Sequence, residues 1–343
     1  MTGSSTQMRH EITQIPDVVA HLVDNGQRQI TTAADALTLK DPAFLTSIAR
    51  GSSDHVATYL KYASELMVGI PMASVGPSIA SIYKRPLNLS NSVALTVSQS
   101  GKSPEIVEMA QMATRQGATT IALTNDAHSP LAETCEHIID IQAGPELSVA
   151  ATKTFLNSAV AGLWVLAEWA NDKDLIKAIH QLPEYLAKAV KADWSEACAA
   201  LKNQNSVFCL GRGPAFAISN EAALKFKETC QIHAESYSSA EVLHGPVSIV
   251  DTNFPIIAFV SNDAAESSVI SVADQLAEKG ANVFVTSTKS QTARQLEAIR
   301  TDHPLTDPIA LIASFYAMVE QLAVARGINP DAPRHLKKVT ETR

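Results

Sequence analysis

The chain has 343 residues, 46% of them hydrophobic and only 5% aromatic, with a formal net charge of −8 at pH 7. That length and apolar content allow two ordinary domains with their own cores, and apolar residues drawn mostly from Ala, Val, Ile and Leu suit helices packed on parallel strands rather than a β-sandwich. The acidic balance excludes a general nucleic-acid surface, which needs a basic stripe, but not one cationic pocket for a small anion.

In chain order, Met1 to His10 is polar and lacks the apolar core of a signal peptide. Residues 11–39 carry Ile12, Ile15, Val18, Val19 and Leu22 at helical spacing, interrupted by Pro16 and Gly26, and read as a leading helical segment that closes by residue 40. Phe44 to Ala49, Val93 to Val97 and Thr120 to Leu123 read as buried strands, separated by amphipathic helices such as Val56 to Val68 and Pro104 to Gln116. Strands alternating with helices imply crossover units and a parallel sheet. The longest apolar run, Ala159 to Ala167, is too short to cross a bilayer. Cys135, Cys198, Cys209 and Cys230 form no CxxC pair and no metal-ligand spacing. A cytoplasmic protein with reduced thiols, no metal and no membrane association is expected.

The pattern then repeats. Phe44 to Gly51 before a helix resembles Val207 to Gly211 before another, with the two glycines 160 residues apart. Val93–Val97–Ser98 matches Ile256–Val260–Ser261, 163 residues apart. Each copy continues with a helix, a Gly-Ala pair (Gly117-Ala118, Gly280-Ala281) and another strand. Two copies of one α/β domain are expected, residues 41–193 and 194–330, with the boundary near Trp194 to Asn205 and a tail over 331–343.

Ser98-Gln99-Ser100-Gly101-Lys102-Ser103 follows a strand and precedes a helix that opens with Pro104, with Ser103 as N-cap. Free backbone N–H groups and the helix dipole favour an anion there. Three hydroxyls and the Gln99 amide can encircle a phosphate, and Lys102 can add charge. From this segment alone, an ordinary capped strand–helix turn is an equal reading. A nucleotide P-loop is disfavoured because Thr96 stands where that motif needs glycine. The corresponding turn of the second copy, Ser261 to Glu266, carries Asp263 and Glu266, which repel phosphate. Gly51-Ser52-Ser53 is a second hydroxyl-bearing turn at a sheet's carboxyl edge. Gly211-Arg212-Gly213 lacks the third glycine of a dinucleotide fingerprint, since Phe216 stands there, and no cofactor is implied.

Glu221, Lys225 and Glu228 fall on one helix face. Spacing alone favours a solvated ion-pair stripe, because Glu followed by Lys four residues later is the favourable surface order. Next comes Glu235-Ser236-Tyr237-Ser238-Ser239-Ala240-Glu241-Val242-Leu243-His244-Gly245-Pro246, rich in hydroxyls and carboxylates, whose short helical turn ends at Gly245-Pro246. His244 there is either an acid/base candidate or a capping residue.

The stretch from Gly211 through Asp251 contains Glu221-Ala222-Ala223-Leu224-Lys225-Phe226-Lys227-Glu228, His233-Ala234-Glu235 and Glu241 to Pro246. Together with Ser98-Gln99-Ser100-Gly101, Val149-Ala150-Ala151-Thr152-Lys153 and Pro333-Arg334-His335-Leu336-Lys337-Lys338, it closely resembles the isomerase half of glucosamine-6-phosphate synthase. The likeness runs from about Phe44 to Lys338. It implies two tandem SIS domains, each a flavodoxin-like three-layer sandwich with a parallel sheet between helices, and sugar-phosphate binding. By that resemblance Glu228 is the base that moves a proton between C1 and C2. His244 promotes ring opening, reaching the site from the neighbouring subunit of a homodimer. Lys338 matches a lysine that forms a Schiff base with a ketose phosphate, on a tail that closes the active site. Lys225 and Glu221 support, and Ser52, Ser53, Ser98, Gln99, Ser100, Ser103 and Val149 match positions that bind the ligand. Ala151 replaces a serine of that pattern and Lys337 an alanine. No room exists for a glutaminase domain in residues 1–40, so the expected reaction is deamination of glucosamine 6-phosphate to fructose 6-phosphate and ammonia. A fructosamine-phosphate deglycase or another phosphosugar isomerase is an alternative. So is a non-catalytic sugar-phosphate sensor, although a sensor has no need of Glu228, His244 and Lys338 together.

Overall fold

A computed structural model describes residues 5–338. They divide into two compact units, one built from residues 17–146, 153–180 and 337–338, the other from 5–16, 147–152 and 181–336. In chain order the leading segment is three helices, α1 (Gln7–Thr13), α2 (Ile15–Asn25) and α3 (Gln27–Lys40). Its breaks fall at Gln14 and Gly26, and Pro16 lies in the first turn of α2, where its missing N–H costs nothing.

The first unit continues with β1 (Phe44–Ile48), α4 (Ser52–Met67), β2 (Met72–Ser74), α5 (Ser78–Ser81), β3 (Ser92–Val97), α6 (Pro104–Arg115), β4 (Thr119–Thr124), α7 (Pro130–Thr134), β5 (His137–Asp140) and α8 (Lys153–Ala170). Its five strands are all parallel, in the order β2-β1-β3-β4-β5. Every residue of β3 is buried, as a parallel strand covered on both faces requires. Helices α3, α4 and α8 pack together on one face. On the other, Ile106, Met109, Ala110 and Ala113 of α6 meet Ile48, Ala94 and Ala122 of the sheet in one apolar cluster. The run Ala159 to Ala167 lies inside α8, buried throughout.

Helix α9 (Lys173–Ala189) passes from the first unit to the second. The second unit then holds α10 (Ser195–Leu201), β6 (Ser206–Gly211), α11 (Pro214–Cys230), β7 (His233–Ser238), β8 (Pro255–Ala258), α12 (Glu266–Glu278), β9 (Asn282–Val285), β10 (Arg294–Gln295) and α13 (Asp307–Ala325). Its sheet is also parallel, ordered β7-β6-β8-β9-β10. Counted from each sheet's own first strand, both orders are 2-1-3-4-5, the flavodoxin-like winding. The duplication is real.

One detail of the repeat is corrected. The glycine equivalent to Gly51 is Gly213, not Gly211. Gly51 (φ 56°, ψ −132°) and Gly213 (φ 60°, ψ −139°) both cap the helix after the first strand in the same positive-φ conformation, one that favours glycine. Gly211 ends β6, where a Cβ would lie 2.4 Å from the Ala215 carbonyl oxygen. With Gly213 the offset becomes 162, in step with the 163 of the next strand pair. Helix α13 is long and apolar enough to span a bilayer by composition, but 83% of that stretch is buried. An all-round apolar helix is what a domain core demands.

Candidate functional site

Strand order reverses between β1 and β3, so the connections leaving their carboxyl ends turn to opposite faces of the sheet and leave a crevice, the usual ligand position in such sheets. The turn after β1 carries Arg50, Gly51, Ser52 and Ser53, and the turn after β3 carries Ser98 to Ser103. A cavity of about 390 Å³ opens there, lined by Arg50, Gly51, Ser53, Val97, Ser98, Gln99, Ser100, Ser103, Ile106 and Lys338. Ser98 Oγ accepts the Gly101 N–H (3.2 Å) and Ser100 Oγ accepts the Lys102 N–H (3.3 Å), which orients both hydroxyls and leaves each a proton to donate. Ser103 caps α6 by position but makes no side-chain capping bond. Gly101 is required twice over. It has φ 60°, and a Cβ there would lie 2.0 Å from Ser129 Oγ.

The cavity thus gathers Ser53, Ser98, Gln99, Ser100 and Ser103. Ser52, half-buried as the first residue of α4, is not among its lining residues. Lys102 does not add its charge to this pocket. Its ammonium lies 3.1 Å from Asp126 Oδ2, and its hydrogen bond helps hold the Asp126 carboxyl below the usual range.

The cations on the cavity wall are Arg50 and Lys338. Lys338 Nζ donates to Glu146 Oε2 at 2.8 Å. Glu146 is buried and also accepts Thr154 N–H (3.1 Å) and Thr154 Oγ1 (2.7 Å), so it ties the first turn of α8 to the end of the described chain. Sequence reading missed Glu146 because its partner lies 192 residues away. It also missed Arg50, whose only local signal was its place beside Gly51-Ser52-Ser53.

In the second unit the Glu-Lys-Glu face is not a solvated stripe. Lys225 is fully buried, 3.0 Å from Glu221 and 2.6 Å from Glu228, and Tyr316 of α13 donates to Glu221 at 3.0 Å. Burial alone would lower the lysine pKa, but the two carboxylates overcome it and hold Lys225 well above the usual range. Glu221 is fully buried, whereas the Glu228 side chain keeps 21% exposure at the open end of the trio. The surface reading failed because α13 covers this face of α11, and spacing carries no information about what covers a helix.

His244 ends a 3-10 turn, Glu241–His244, and is exposed, with Gly245 (φ 150°) as its C-cap. Val149 also lies in the second unit, half-buried in the segment 147–152, where the buried Glu11 carboxylate accepts N–H groups of Leu147 and Ser148.

The second unit's counterpart of the serine turn is filled from within. Asn262 N–H donates to Asp307 Oδ2 (2.8 Å), and Arg300 reaches the same oxygen at 3.0 Å. Asp307 Oδ1 takes the Thr301 N–H and hydroxyl, and the side chain is 1% exposed. Among the described residues, no group of three His, Cys, Asp or Glu is placed to share a metal ion.

Comparison with known proteins fits this architecture. The SIS domain family pattern matches residues 43–167 and 200–326, so the chain belongs to the SIS-domain family. A Silicibacter pomeroyi protein assigned as a phosphosugar isomerase shares 58% identity at a TM-score of 0.93, covering 95% of this chain and 100% of that one. The glucosamine-6-phosphate deaminase of Thermotoga maritima superposes at a TM-score of 0.79 over 98% of this chain and 100% of its own; at 19% identity that likeness shows the fold alone. The isomerizing glutamine–fructose-6-phosphate aminotransferase of Symbiobacterium thermophilum is 31% identical over 332 residues, 90% of this chain and 52% of that protein. The chain spans about half the length of the curated relatives it matches.

Proposed function

We propose, from membership of the SIS-domain family, that this chain is a phosphosugar isomerase that deaminates glucosamine 6-phosphate to fructose 6-phosphate and ammonia. One observation carries the reading: a carboxylate, Glu228, left accessible at the end of an otherwise buried Glu-Lys-Glu chain. Burying an ammonium between two carboxylates is costly and gains little stability over apolar packing. It does fix a carboxylate in one position and orientation, as proton transfer requires. The names of the curated relatives support the substrate class, since they are isomerizing glutamine–fructose-6-phosphate aminotransferases.

In this reading Ser53, Ser98, Gln99, Ser100 and Ser103 hold the phosphate, with Ser52 and Val149 completing the ligand-binding set. His244, contributed across a homodimer interface, promotes ring opening. The exposed aldehyde acidifies the C2 proton. Glu228 takes that proton and returns it to C1, converting the amine to a ketimine that water hydrolyses to ketone and ammonium. Lys225 and Glu221 hold Glu228 in place. Lys338, once its ammonium has given a proton to Glu146, adds to the C2 carbonyl of the ketose with loss of one water to form a Schiff base, and hydrolysis of that bond by water frees both the lysine and fructose 6-phosphate.

The test is incubation of purified protein with glucosamine 6-phosphate, with ammonia and fructose 6-phosphate measured together. Stoichiometric release of both is expected. Release of an amino acid from glycated amino-acid 6-phosphates, with none of either product from glucosamine 6-phosphate, replaces the deaminase with a deglycase. Binding of amino-sugar phosphates without turnover makes the protein a sensor.

A further inference from the structure

A phosphate monoester carries close to two negative charges at neutral pH, and the serine cradle offers it neutral donors. Of the two cations on the cavity wall, Lys338 is committed to a short bond with Glu146 at 2.8 Å. Arg50 is held differently. Its nearest acid contact is a single 3.4 Å approach to Glu105 Oε2, and its side chain is 51% exposed. Charge-assisted N–H···O bonds ordinarily measure about 2.7–2.9 Å and guanidinium–carboxylate pairs are often two-pronged, so this tie is weak. Glu105 itself is buried, with only 7% of its side chain exposed, and sits at the second position of α6, the helix whose N-terminus the serine turn caps. Its carboxylate therefore competes with a bound phosphate for the same guanidinium.

We propose that Arg50 is a phosphate ligand that exchanges its loose contact with Glu105 for the bound sugar phosphate, and that it sets the preference for phosphorylated over unphosphorylated sugars. The inference rests on the sugar-phosphate reading above and deepens it. The guanidinium fork offers two N–H groups to two phosphate oxygens, a geometry lysine cannot reproduce.

The experiment is calorimetric titration of the full chain with inorganic phosphate, for the wild type and for Arg50→Ala, Arg50→Lys and Glu105→Gln, with thermal unfolding to confirm that each variant is folded. Arg50→Ala is expected to weaken phosphate binding about 10- to 100-fold, the range for one lost charged hydrogen-bonding group, and to raise KM for the sugar phosphate far more than it lowers kcat. Arg50→Lys recovers only part of the loss. Glu105→Gln keeps or improves phosphate affinity, because it removes the competitor. If Arg50 merely braced its turn through Glu105, Glu105→Gln would weaken binding as much as Arg50→Ala, and that result overturns the proposal. Equal phosphate affinity in wild type and Arg50→Ala overturns it too, leaving the sugar-phosphate reading intact. A wild type that binds neither inorganic phosphate nor sugar phosphate removes both.

Discussion

Lys225 illustrates how much one side chain depends on its surroundings. Its trio with Glu221 and Glu228 has a formal charge of −1 inside an apolar unit, and the arrangement holds only while all three are present. Removing the middle charge leaves two facing carboxylates, at a cost of about 3–5 kcal/mol. Lys225→Met is therefore expected to act first on stability, measured as a fall in the urea midpoint. Glu228→Gln keeps the shape and a hydrogen-bonding group at the accessible end. It should leave fructose 6-phosphate affinity nearly unchanged while lowering turnover roughly 10²- to 10⁴-fold, the usual contribution of a positioned base. Equal turnover in Glu228→Gln and wild type would remove Glu228 from the chemistry. The positions of these three residues were legible in the sequence, but their burial was not. An i, i+4, i+7 pattern is the same on a wet face and a covered one, and Tyr316 reaches Glu221 from 95 residues away.

At the scale of elements, the strands and helices of both domains follow from short buried runs alternating with amphipathic stretches, and their duplication was legible from the matching strand pairs and Gly-Ala pairs, although Gly51 was matched to Gly211, two residues short of its counterpart Gly213. What connects distant elements was not. Nothing near Glu146 in sequence announces that its carboxylate takes the helix-start N–H of Thr154 and the ammonium of Lys338 together. That carboxylate holds Lys338, the last described residue of the tail. Glu146→Gln keeps its volume and loses its charge, and the Lys338 contact weakens accordingly. Trypsin cleavage after Lys338 is expected to accelerate by roughly tenfold, the scale of one charged hydrogen bond, while cleavage elsewhere stays unchanged. An unchanged rate after Lys338 would mean that other contacts fix the tail.

At the scale of the whole molecule, acid sensitivity belongs to groups whose carboxylates organise backbone. Asp274 of α12 receives the Ser290 hydroxyl and the N–H groups of Gln291, Thr292 and Ala293. Burial would raise its pKa, but these hydrogen bonds outweigh it and bring it down to about 2. A depressed carboxyl stabilises the fold fully above its unfolded value of 3.8 and loses that contribution as pH falls towards about 2. Asp274→Asn should be less stable than wild type in urea at pH 7, with the gap closing as pH falls through that window. A gap that stays constant with pH would rule out this linkage.

The Asp307 carboxylate in the second sheet's turn has a consequence for stoichiometry. It acts as a tethered occupant, present at unbeatable local concentration and already bonded to the amide and guanidinium that an incoming anion would need. A protein folded twice over on one plan is therefore expected to titrate with a single equivalent of inorganic phosphate per polypeptide, the second sheet's turn being closed to an anion by its own Asp307.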